Sequence, residues 1–220
     1  IGCPLSRPSK IICLGLNYID HRKESGFDKP QQPLLFAKTP NALTGPFDPI
    51  FLPRSCDQID WEVEIAVVVG RAGKRIDSEN ALDYIAGFTV LNDVSGRRAQ
   101  FSDGQWFRGK SYDTFAPMGP AIVTMEEIGD IQNLRLTAVV DGTLMQDGNS
   151  RDMIFDVATL IEFISEDMTL YPGDVISTGT PSGVGYFRNP PVELTAGSVV
   201  ECRIEKIGAI VNRVVDRLPE

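Results

Sequence analysis

Glu62 and Glu64 stand two apart in the run Trp61-Glu62-Val63-Glu64-Ile65-Ala66-Val67-Val68-Val69. Side chains along a strand alternate between its faces, so both carboxylates share one face, within reach of one cation. Trp61, Val63, Ile65, Val67 and Val69 take the other face. An isolated Glu-x-Glu reads as readily as two glutamates on a wetted surface. Here Ala66 and Val68 continue the acidic face, so the strand is apolar on both sides and belongs in an interior. Carboxylates there need a partner or a metal, and side by side without one they repel. Asp93 closes a second apolar run, 88–92, where a plain strand has no use for an acid. Three carboxylates, with water filling the remaining positions, suit Mg²⁺ or Mn²⁺ and admit Ca²⁺. Zinc is disfavoured, since no Cys or second His accompanies them.

His21 is the only histidine. On a short helix it neighbours Glu24, three residues on. A carboxylate beside an imidazole raises its basicity and fixes its tautomer, as a general base requires. The plainer reading is a surface contact, because Asp20, Arg22 and Lys23 are charged as well. Lys110 lies among Gly and aromatic residues in the stretch 104–115, which reads as a loop around a pocket. Its ammonium suits a substrate carboxylate or enolate oxygen, although a lysine is by default a surface residue. The segment Thr178-Gly179-Thr180-Pro181-Ser182-Gly183-Val184-Gly185 offers hydroxyls and backbone N–H groups to an anion, or is simply a tight turn. It lacks the Gly-Lys-Ser/Thr of a nucleotide-phosphate loop.

These residues must be held by a scaffold. A chain of 220 residues with 42% hydrophobic content can bury one large core. The net charge of −9 disfavours nucleic acid and anionic membrane surfaces as partners. Cys3, Cys13, Cys56 and Cys202 fit no zinc spacing and read as free thiols of a reducing compartment. The expected setting is the cytoplasm or, in a eukaryote, the mitochondrial matrix. No signal-peptide pattern or bilayer-length apolar run is visible. Val-, Ile- and Phe-rich runs bounded by Gly, Pro and Asp predict strands at 10–15, 34–38, 62–70, 85–94, 121–124, 134–140, 174–177 and 199–204. Asp141-Gly142 signals a hairpin. Helices are expected at 17–25, 78–83 and 154–168, the last capped by Asp156. Strands that do not alternate with helices predict a β-rich α+β sandwich or roll, not a doubly wound parallel sheet.

The order of the motifs resembles the fumarylacetoacetate hydrolase superfamily. The series runs Gly15-x-Asn17-Tyr18-x-x-His21-x-x-Glu24, then Asp60-x-Glu62-x-Glu64, then Asn92-Asp93-Val94-Ser95. Gly109-Lys110-Ser111 with Asp113-Thr114-Phe115 follows, and then Pro172-Gly173-Asp174 leading to Thr178-Gly179-Thr180-Pro181. The match covers nearly the whole chain. It implies a mixed β-sandwich roll, usually homodimeric, with residues 1–220 forming the catalytic domain without the small N-terminal domain that many members carry. It implies metal ligands Glu62, Glu64 and Asp93, and a His21–Glu24 dyad on a lid helix. It further implies a polar catalytic or binding role for Lys110, and substrate contacts at Arg97, Gln100 and Thr180. Many relatives follow the Asp-Val-Ser segment with Arg-Asp, whereas Arg97 is followed here by Arg98.

The activity so implied acts on a small 2-oxo or 2,4-dioxo acid chelated to the cation, through an enolate of pyruvate type. C–C hydrolysis of an acylpyruvate, oxaloacetate decarboxylation and oxaloacetate enol–keto tautomerisation all share that enolate. Hydrolysis is the expectation taken as the family default. The segments 183–192 and 208–212 are similar to the branch of oxaloacetate tautomerases. A non-catalytic 2-oxo-acid binding protein on the same fold is the remaining alternative; the presence of the dyad and all three acids argues against it.

Overall fold

The structure, a computed structural model, describes residues 1–102 and 104–216. Its strands are β1 (Ile11–Gly15), β2 (Leu34–Lys38), β3 (Leu43–Thr44), β4 (Ile50–Phe51), β5 (Ile59–Asp60), β6 (Val63–Val69) and β7 (Ile85–Asn92). They continue with β8 (Ser95–Gly96), β9 (Ala116–Val123), β10 (Arg135–Val140), β11 (Thr143–Asn149), β12 (Val175–Ser177), β13 (Val199–Ile204) and β14 (Gly208–Val215). The α-helices are short: α1 (Ile19–Ser25), α2 (Arg97–Ser102), α3 (Phe107–Lys110), α4 (Met125–Ile128) and α5 (Val157–Ser165).

Seven strands form one sheet in the order β2-β1-β12-β6-β7-β9-β3, and five form a second, β11-β10-β13-β14-β4. Both mix parallel and antiparallel pairs: β1 with β12, β3 with β9 and β4 with β14 run parallel. The fold is thus β-rich α+β with mixed, curled sheets. Strands β13 and β14 of the second sheet pack across β6, β7 and β9 of the first. β6 is buried along its whole length, as its two apolar faces require. β10 and β13 alternate instead, turning Leu136, Ala138, Val200, Cys202 and Ile204 inward and Arg135 and Arg203 to solvent. Cys13 in β1 and Cys202 in β13 are buried free thiols.

Local chemistry sets the boundaries. Asp141 and Gly142 take φ of 49° and 79°, the positive pair a type I′ hairpin needs between β10 and β11. α5 starts later than the predicted 154, because the backbone N–H groups of Ile154 and Phe155 donate to the backbone and side-chain oxygens of Asn17. Asp156 then caps it, accepting from Thr159 N at 2.8 Å. α5 turns Val157, Leu160, Ile161 and Ile164 inward and ends at Ser165, short of the predicted 168. The segment expected to be helical at 78–83 is a 3₁₀ helix, Ser78–Tyr84. β9 begins at Ala116 rather than 121; Pro117 and Pro120, which donate no ladder bond, disguise its first half. β14 lies outside the strands expected from sequence. Lys110, expected in a loop, ends α3 instead.

Candidate active site

β6 and the end of β7 set out the acids. Glu62 precedes β6, and its N–H donates to Asn92 Oδ1 at 3.0 Å. Asp93 leaves β7 with its N–H donating to Glu62 O at 2.9 Å. Glu62, Glu64 and Asp93 therefore converge: one oxygen from each lies within 4.8 Å of the others, and all three residues are buried.

Three buried cations surround them. Lys110 Nζ donates to Glu62 Oε2 at 2.6 Å and to Asp93 Oδ2 at 2.7 Å. Lys38 Nζ donates to Asp93 Oδ1 at 2.5 Å and Val94 O at 3.1 Å. Arg97 NH2 bridges Glu62 Oε1 at 2.6 Å and Asp60 Oδ2 at 2.7 Å. Its NH1 donates to Gln100 Oε1 at 3.0 Å. Four buried carboxylates (Asp60, Glu62, Glu64, Asp93) thus meet three buried cations (Lys38, Arg97, Lys110). Glu64 is the acid with no ion pair among the described residues; it accepts instead from Ser177 Oγ at 2.6 Å and Gly179 N at 2.9 Å.

The charges follow from this layout. Burial, then Asp93 and Glu62, push the Glu64 carboxyl well above the usual carboxylate range. Burial works in the same direction on Glu62, but Arg97 and then Lys110 outweigh it and hold that carboxyl below the range. Burial opposes the charged forms of Lys110 and Arg97; their acidic partners outweigh it and keep both protonated. The donor set fits a hard divalent cation: three clustered oxygens, one of them on an acid with no cation of its own.

His21, on α1, is buried, and its Nδ1 lies 3.1 Å from Glu24 Oε2. Of the nine residues expected from sequence to serve the site, all but Glu24 and Asp93 line one cleft. Thr180 lines it with its hydroxyl already engaged, donating to Val63 O at 2.8 Å and accepting from Gln146 Nε2 at 2.8 Å. Phe36, Trp106 and Phe187 also line it, the Phe36 ring centroid lying 5.0 Å from Lys110 Nζ.

The 178–185 loop departs from its expected use. Its donors serve the protein's own acids: Gly179 N bonds Glu64, Ser182 N and Oγ bond Asp20, Gly183 N bonds Glu24, and Gly185 N bonds Asp60. Lys38 and Asp60 are site residues the sequence reading missed. The signal for Lys38 was a lone lysine closing the apolar run 34–38. Asp60 stood in the Asp-x-Glu-x-Glu motif without a role. No helix of the described residues is long and apolar enough to cross a membrane.

The chain is 48% identical over 213 residues to a mitochondrial oxaloacetate tautomerase of Rattus norvegicus, covering 96% of this chain and 68% of that one. Among solved structures it is similar to a 5-carboxymethyl-2-hydroxymuconate delta-isomerase of Mycobacterium smegmatis, with 39% identity and a TM-score of 0.88, covering 100% of this chain and 83% of that one. A fumarylacetoacetate hydrolase of Exiguobacterium antarcticum is 41% identical with a TM-score of 0.92, covering 98% of this chain and 78% of that one. The named relatives are enzymes of small organic acids. The model of the family described as fumarylacetoacetate (FAA) hydrolase C-terminal matches residues 10–215, and the chain belongs to that family.

Proposed function

We propose that this protein is a divalent-metal-dependent enzyme that moves a proton at the carbon beside the carbonyl of a small 2-oxo acid, with enol–keto tautomerisation of oxaloacetate as its reaction. The observation that carries this reading is that His21, Arg97, Lys110 and two of the three clustered acids line a single cleft. Glu62, Glu64 and Asp93 would hold Mg²⁺ or Mn²⁺. When bound, that cation supplies Lewis-acid stabilisation of negative charge on the 2-oxo group.

The chain's own residues supply the rest. Glu24 accepts the Nδ1 proton of His21, which leaves Nε2 as the nitrogen that takes or returns a proton at the substrate methylene. Arg97 and Lys110, both buried, keep their charge and would balance the enolate oxygen as it forms. Gln100 and Thr180 line the same cleft and would border the substrate there. The likeness to the oxaloacetate tautomerase of Rattus norvegicus supports tautomerisation over the other outcomes of the same enolate.

C–C hydrolysis of a 2,4-dioxo acid is the second reading. The aromatic rings of Phe36, Trp106 and Phe187 in the cleft lining favour it, since they offer apolar surface to an acyl tail. In hydrolysis His21 would activate a water rather than address carbon. The test is an NMR assay with Mg²⁺ or Mn²⁺ on enol-oxaloacetate, keto-oxaloacetate and acylpyruvates. Accelerated enol–keto exchange with no loss of carbon supports tautomerisation, pyruvate plus a carboxylic acid supports hydrolysis, and CO₂ release identifies decarboxylation. Turnover of none of them overturns the proposal.

A further inference from the structure

We infer that Asp20 is a positioning residue, a latch that docks the histidine helix onto Ser182 and so holds the His21–Glu24 pair in the cleft. The inference rests on the reading of His21 as the proton-handling group.

α1 has seven residues, fewer than an isolated helix needs to persist in water. The N-cap residue Tyr18 makes no side-chain cap bond and Ile19 is exposed; apolar hold comes from the buried Tyr18 at the helix start and from the His21 ring, whose centroid lies 5.9 Å from that of Phe187. The segment before it is anchored by Asn17, and within the helix the polar attachment comes from two acids. Asp20 Oδ2 accepts from Ser182 Oγ at 2.7 Å and Ser182 N at 3.1 Å. Asp20 Oδ1 accepts from His21 N at 2.8 Å, one of the N–H groups a helix start leaves unpaired. Glu24 Oε1 accepts from Gly183 N at 2.9 Å while its Oε2 faces His21.

The platform beneath is fixed independently of the helix. Gln146 Nε2 donates to Pro181 O at 2.7 Å, and Arg188 NH2 donates to Met145 O at 2.6 Å and Gly183 O at 3.2 Å. Gly183 has φ of 105°, and a Cβ there would lie 2.1 Å from Met145 O, so the loop sits hard against β11. The same loop braces Glu64 through Gly179. Helix α1 is therefore a small piece docked on a rigid ledge that also carries a candidate metal ligand. With Asp20 removed, Glu24 is the side chain left tying the helix to the ledge, while it must also orient the imidazole.

The test compares Asp20→Ala, Ser182→Ala and the double variant of the full chain with Mn²⁺ present. Amide hydrogen exchange over 19–25 reads the latch without reference to any reaction. Exchange there is expected to quicken by about tenfold or more in Asp20→Ala, as loss of charge-assisted bonds requires. Turnover should fall by roughly tenfold to a hundredfold, the scale of a small misplacement of a reacting group. KM, Mn²⁺ affinity and melting temperature should hold. Ser182→Ala, which keeps the backbone N–H, should lose less, and the double variant no more than Asp20→Ala alone. Unchanged exchange in Asp20→Ala, additive losses, or a parallel fall in Mn²⁺ binding and melting temperature would overturn the latch. Full turnover by His21→Ala would instead overturn the catalytic reading, and the exchange result would still decide the latch.

Discussion

Lys110 Nζ lies 2.6 Å from Glu62 Oε2 and also reaches Asp93, so one ammonium ties two of the three clustered acids together. Its removal leaves buried charge uncompensated. Lys110→Met is expected to destabilise the metal-free protein by about 3–5 kcal/mol, the usual cost of breaking a buried pair from one side. Excess Mn²⁺ should recover more melting temperature in this variant than in the wild type, because the ion replaces lost positive charge. Thermal denaturation with and without Mn²⁺ checks both statements; equal metal gains in the two proteins would contradict them.

Metal binding should depend on pH through Glu64. Its folded-state pKa lies above the unfolded value, so its stabilising contribution without metal is greatest below the ordinary carboxylate range and is lost as pH rises. A cation bound there would compete with that proton, so metal affinity should rise with pH and binding should release protons. Glu62 runs the other way. Its depressed pKa makes its contribution present above the ordinary range and lost as acid protonates it. Calorimetry of Mn²⁺ binding in buffers of different ionisation enthalpy measures the proton; binding without proton release would refute the account.

His21→Ala should lower turnover by about a hundredfold to ten-thousandfold, the usual worth of a general base. The imidazole is not among the clustered carboxylates, so Mn²⁺ affinity should stay near the wild-type value. Steady-state kinetics beside a metal titration checks the pair of outcomes. Weakened metal binding with turnover intact would reverse the assignment.

Asp60 has no place among the candidate metal ligands, yet it accepts from Arg97, Trp61, Gly185 and Tyr186. Asp60→Ala should cost about 3–5 kcal/mol by stranding buried Arg97. Arg98, next in sequence, pairs with Asp57 on the surface, and Arg98→Ala should change stability by no more than about 1 kcal/mol. Urea denaturation of the two variants tests the contrast, and similar losses would refute it.

Much of this site was legible in one dimension. Glu62 and Glu64 reach the same cluster because alternation along a strand is a local property. Asp156 and Asp141-Gly142 act as written, since caps and hairpin turns also depend only on neighbours. The missed features depend on distant meetings. Lys38 finds Asp93 across 55 positions, and Asp60 finds Gly185 across 125, and no spacing rule reports such pairs. The loop after β12 was open to two readings, a set of anion donors or a tight turn. Its anions turned out to be Asp20, Glu24, Asp60 and Glu64, brought to it by the tertiary fold.

The two interior thiols give the molecule a pair of native clocks. Burial pushes the sulfhydryls of Cys13 and Cys202 far above the ordinary thiol range, so neither meets an alkylating reagent as thiolate while its own sheet stays closed. One marks the seven-stranded sheet and the other the five-stranded sheet. Their relative labelling rates therefore register which half of the sandwich breathes first, without an engineered reporter.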